Sequence, residues 1–120
     1  MIKIRRLYKS FTYAFRGLAK IFYEEQNLQI QSFFALITVI LGVIFRVSQV
    51  EWLFLAVVIG LVILMEIANS AVERMTDVLK PRIDGYVKEI KDIMAAAVML
   101  ASLLAIIVGS IIFIPHLGLF

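Results

Sequence analysis

Glu66, Asn69, Glu73 and Asp77 lie in the stretch MEIANSAVERMTDVL, from Met65 to Leu79. The steps between them are three, four and four residues, so in a helix all four side chains fall along one stripe. The stretch continues from the hydrophobic run Trp52 to Met65 with no Pro or Gly cluster to end it. A carboxylate at the edge of an apolar span is unfavourable unless water, a cation or a partner receives it. Several on one stripe read as a cation site. The structural alternative is that Glu66, Asn69 and Glu73 join helices through hydrogen bonds. A whole stripe facing a second charged segment favours chemistry.

Oxygen ligands at a membrane surface suit magnesium and phosphate. Phosphoryl transfer needs a metal across the phosphates, cations for the developing charge, and an acceptor for the hydroxyl proton. Glu25 and Glu73 could bind the metal, and Lys91, Arg6 and Arg16 could supply positive charge. Glu66 lies deepest in the apolar segment, which suits it to proton abstraction. Other chemistries lack their parts. The chain has no cysteine, no Gly-rich phosphate loop, no nucleotide-binding Gly fingerprint and no Ser-His pair. Its one histidine, His116, falls at the far end of the chain.

The elements that must position these residues are membrane helices. The 120 residues form one domain, 62% of them are hydrophobic, and the mean hydropathy is +0.98, far above a soluble globular domain. Ile4, Leu7, Phe11, Phe15, Leu18 and Phe22 recur at helical steps, with Arg6, Lys9, Tyr13, Arg16 and Lys20 on the other face. Residues 1–24 are therefore expected as an amphipathic helix at a membrane surface. The basic start does not read as a signal peptide, because no continuous apolar region or cleavage site follows.

Three spans are expected, at 28–46, 52–79 and 93–114. The polar Gln29, Gln31 and Ser32 at the head of the first should face other helices. RVSQVE, residues 46–51, reads as a polar turn beside an interfacial Trp52. Pro81 should stop the second span, with Gly85 offering a positive-φ position, and Pro115 should end the third. Ala97, Ala101, Ala105 and Gly109 form a small-residue seam. Lys and Arg concentrate before the first span and between the second and third. The amino terminus is thus expected in the cytoplasm and the carboxyl terminus outside.

EIANSAVERMTDVL followed by K-x-x-K-D-x-x-A-A-A-V resembles the central signature of the small bacterial membrane diacylglycerol kinase family. The resemblance covers almost the whole chain, including Arg16-Gly17-Leu18 in the basic helix and the acidic residue before the first span. It implies an all-α integral membrane lipid kinase of the bacterial inner membrane, assembled as a homotrimer with active sites between subunits. By position, Glu66 resembles the catalytic acid/base, and Glu25 and Glu73 the ligands of the Mg2+ that accompanies ATP. Arg6, Tyr13, Lys91 and Asp92 resemble nucleotide-contacting positions, and Asn69 a supporting amide. Departures occur at Asp84, where a histidine is common nearby, and at Gln31, so neither takes a role; Asp77 is expected as a structural contact.

YEEQN and IIFIPHL look more like the Gram-positive branch, which resembles undecaprenol kinases. The expected acceptor is undecaprenol, with diacylglycerol as the alternative, and no nucleic acid partner is expected. A non-enzymatic assembly or small transporter would place charges nearer the bilayer midplane. A lipid phosphatase would need a His and Arg constellation absent here.

Overall fold

Four α-helices follow one another in the computed structural model, which describes residues 1–80 and 85–118 and the backbone of Asp84. They are α1 (Ile4–Glu24), α2 (Gln26–Ile44), α3 (Gln49–Leu79) and α4 (Asp84–His116). The last three are long and apolar enough to cross a membrane. Little of their surface is covered within the chain: Leu53, Phe54, Val57, Leu103, Ile107 and Ile111 are among many exposed apolar side chains. In water such faces would drive aggregation, whereas lipid solvates them.

The core is a hairpin of α3 on α4, with α2 laid against it. Val47, Leu55 and Ile112 form its buried centre, supported by Phe45, Trp52, Val108 and Phe113. The small-residue seam lies inward on α4, with Ala101 buried and Ala97, Ala105 and Gly109 half-buried. Gln31, expected to face other helices, donates to Ser102 Oγ of α4 at 3.2 Å. Gln29 turns back on α1, where its amide donates to the carbonyls of Phe22 and Tyr23 at 2.8 and 3.3 Å. Those carbonyls belong to the final turn of α1 and have no partner within the helix.

The helices run past the expected spans. Residues 49–51, expected in a turn, open α3. Ser48 accepts from the Glu51 backbone at 3.1 Å while Glu51 accepts from the Ser48 backbone at 2.9 Å, a reciprocal cap. Arg46, with φ 51°, takes the turn instead. α3 ends at Leu79, and Lys80 is extended, as a residue before proline prefers. The expected stop at Pro81, and Arg82, lie outside the described residues. Gly85 takes no positive φ; it belongs to the first turn of α4. Pro115 likewise does not end α4. α4 runs one residue further, to His116, and closes at Gly118, whose φ is +78° and whose N–H reaches the Pro115 carbonyl at 3.0 Å.

Length then places the polar stripe. At about 1.5 Å per residue, the 31 residues of α3 and 33 of α4 both exceed a hydrocarbon core of about 30 Å. If the core begins at Trp52, roughly 20 residues carry α3 across it, to about Val72. Glu66 then sits about 9 Å inside that boundary, and Glu73 and Asp77 emerge from it.

α2 meets α3 through Gly42, where a Cβ would stand 2.5 Å from the Trp52 ring. Gly42→Ala must displace that indole, so thermal unfolding in detergent should show a loss of about 1–3 kcal/mol. The same substitution at Gly60, which has open space around it, should be nearly silent.

Candidate active site

Glu66 is buried, with 6% of its surface exposed, on the face of α3 turned toward α2. Gln31 of α2 is the polar neighbour that acts on its charge, and Glu25 and Glu73 are the like charges that do. Helical spacing explains part of this. Asn69, Ser70, Glu73 and Asp77 all fall within the same face of α3 as Glu66. Asn69 Nδ2 donates to Glu73 Oε1 at 3.4 Å, which links two members of the stripe.

Glu25 arrives from elsewhere. It is the one residue between α1 and α2, with φ −103° and ψ 109°, so the chain bends there and its side chain faces α3. Ser70, itself buried, donates its hydroxyl to Glu25 Oε1 at 3.0 Å. Arg74 Nη2 donates to the same oxygen at 3.3 Å and to Glu24 Oε2 at 2.8 Å, while Arg74 Nε reaches Ser70 Oγ at 3.5 Å. Residues 45 to 50 positions apart thus close the corner between α1 and α2 onto α3.

A second contact lies further along the stripe. Lys91 Nζ donates to Asp77 Oδ1 at 2.7 Å, an ion pair from α4 to α3. The structural role expected of Asp77 is therefore a bridge to Lys91. Tyr13 lines a hollow of about 450 Å³ beneath α1 together with Gly17, Ser70 and Arg74, and Arg16 stacks over its ring at 5.7 Å. Arg6 and Asp92 are exposed, and among the described residues no hydrogen bond or ion pair joins either to the cluster. His116 lies near Glu51, 3.4 Å away at the opposite end of the hairpin.

The structure therefore brings Glu25, Glu66, Asn69 and Glu73 together, with Gln31, Ser70, Arg74 and Glu24 as neighbours the spacing did not single out. Ser70 and Arg74 continue a four-residue step from Glu66, which was the available signal. Among the described residues no group of three or more His, Asp or Glu side chains is gathered tightly enough to hold a metal by itself. Two carboxylates suit magnesium that arrives with phosphate oxygens, since this ion takes one or two carboxylates and completes its shell with phosphates and water.

An apolar cavity of about 610 Å³ leads away from this cluster. Gln31 and Ser102 line its polar end, and Val58, Leu41, Gly109 and Phe113 line it further along the hairpin. From Ile30 to Leu41 it follows α2 for roughly 17 Å.

These features define a multi-pass helical membrane protein with a carboxylate cluster opening beside an apolar cleft. Residues 12–113 match the family model described as prokaryotic diacylglycerol kinase, and the chain belongs to that family of lipid kinases. It is 30% identical over 115 residues to the undecaprenol kinase of Bacillus subtilis (strain 168), covering 96% of this chain and 94% of that one. It is 30% identical over 109 residues to a diacylglycerol kinase of Synechocystis, covering 90% of this chain and 62% of that one. The diacylglycerol kinase of Escherichia coli (strain K12) is 26% identical over 113 residues, 94% of this chain and 93% of that one.

Ser70→Ala removes the hydroxyl held between Arg74 and Glu25. The expected loss is about 1 kcal/mol of stability, read by thermal unfolding in mixed micelles with the native helix content unchanged.

Proposed function

We propose that the chain transfers the γ-phosphate of ATP to undecaprenol in a magnesium-dependent reaction at the α3 carboxylate cluster. The observation that carries this proposal is the buried Glu66, near Glu25 and Glu73 and one helical turn beyond Val62, which lines the apolar cleft. Undecaprenol joins a long apolar tail to one primary hydroxyl. With the tail in the cleft, that hydroxyl lies at Glu66. Glu66 accepts the hydroxyl proton as the alcohol oxygen bonds to the γ-phosphorus, and the bond from that phosphorus to the β-phosphate oxygen breaks to release ADP.

Glu25 and Glu73 would hold the magnesium ion, which would offset the negative charge of the phosphates. Asn69 orients Glu73 through its amide. Lys91, steadied by Asp77, offers positive charge to the phosphates, and Arg6, Tyr13 and Asp92 complete the nucleotide contacts. Arg6 and Tyr13 are seven residues apart, so one face of α1 presents both to a single nucleotide.

The same reading places the protein in the bacterial inner membrane. The basic α1 lies on the cytoplasmic surface with the amino terminus, and the carboxyl terminus is outside. Homotrimerisation would cover part of the exposed apolar surface and let α1 of one subunit close the site of the next. Diacylglycerol is the second acceptor, supported by the names of two of the relatives. It has a primary hydroxyl at the same depth, and Glu66 would serve it unchanged.

Glu66→Gln keeps the shape while removing the base. Transfer of labelled γ-phosphate to lipid in micelles should fall by about 10²-fold or more, with unfolding temperature and elution volume unchanged. Wild-type turnover by this variant would remove the catalytic assignment. Glu73→Gln should instead raise the magnesium concentration needed for half-maximal rate.

A further inference from the structure

Arg74 is the one guanidinium within hydrogen-bonding reach of the cluster among the described residues, and none of the preceding roles uses it. Its Nη2 spans two carboxylates unequally, at 2.8 Å from Glu24 Oε2 and 3.3 Å from Glu25 Oε1. The oxygen it touches on Glu25 is the same one that accepts from Ser70. Glu24 is the more exposed of the two, at 48% of its side chain against 28% for Glu25.

We propose that Arg74 is a built-in competitor of the divalent cation for Glu25, with Glu24 as the carboxylate that keeps Arg74 when the cation enters. This rests on the assignment of Glu25 as a cation ligand. Without a cation, Glu25, Glu66 and Glu73 are three neighbouring carboxylates, and Arg74 sets a positive charge against Glu25. A cation bound to Glu25 would stand next to the guanidinium, and the two positive charges repel one another.

The geometry allows an exchange without moving the backbone. Arg74 already holds Glu24 by its shorter contact, and releasing Glu25 lengthens one hydrogen bond while keeping the other. Ser70 stays on Glu25 Oε1, so the carboxylate retains its direction. Glu24 therefore favours cation binding by drawing Arg74 away, although it need not touch the cation. Arg74 is a positioning residue by this account, acting through the carboxylate it occupies.

The test is Mn2+ binding to the full chain in neutral-lipid nanodiscs, followed by the electron paramagnetic resonance signal of free Mn2+. Glu25→Gln should remove the site; if the wild-type Kd is unaffected by Glu25→Gln, the cation assignment fails and this proposal fails with it. Given that loss, Arg74→Gln should tighten Mn2+ by about fivefold or more, and Glu24→Gln should weaken it by a similar factor. In the Arg74→Gln background, Glu24→Gln should change Kd by less than about twofold, because the residue it acts through is gone. An unchanged Kd in Arg74→Gln overturns the proposal while leaving the cation site intact. Equal effects of Glu24→Gln in both backgrounds also overturn it, since simple addition of charges would then suffice. Arg74→Met, which likewise removes the charge, replaces Arg74→Gln in the cycle if the latter does not fold, and should tighten Mn2+ by a similar factor.

Discussion

A buried carboxylate in a helix that must also cross lipid is the constraint on which the rest of the structure depends. Glu66 is enclosed, within a single unbroken helix from Gln49 to Leu79. The protein therefore brings polar groups to Glu66. Gln31 comes from α2, and Glu25 comes from the break between α1 and α2. Ser70 and Arg74 on α3 then fasten that break to the same helix. Extending α3 and α4 beyond a hydrocarbon thickness turns the end of the stripe into an interfacial site, where Asp77 and Lys91 pair across the hairpin.

The apolar cleft and the carboxylate cluster share Gln31, which donates to Ser102 in the cleft and acts on the charge of Glu66 in the cluster. One amide thus marks the seam between a lipid-like environment and an ionic one. A lipid alcohol has the same division, with its tail apolar and its hydroxyl polar. Membership of a lipid kinase family agrees with that division.

Helix type and number could be read from the chain because they rest on run length: stretches of about 18 to 20 apolar residues have few alternatives. Helix ends were harder. Ser48-x-x-Glu51 is a capping box, but in a short polar segment it looked like turn chemistry. Residues 85–92 looked like loop because they are polar, whereas a helix that has left the membrane is expected to be polar. Glu66, Asn69 and Glu73 were readable from spacing, and Glu25 from its place before a span. Arg74 shares a four-residue step with Glu66 and Ser70, but its pairing with Glu24 was not readable, since contacts 50 residues apart leave no period.

The central claim is that this cluster phosphorylates a polyprenol at the membrane surface. Its most direct measurement supplies the purified wild-type protein with labelled ATP, magnesium, and equal amounts of undecaprenol and diacylglycerol in one micelle, and then separates the labelled products. The account predicts undecaprenyl phosphate as the main labelled lipid, dependent on magnesium. Label in diacylglycerol alone would contradict the acceptor, and label in neither lipid would contradict the transfer itself.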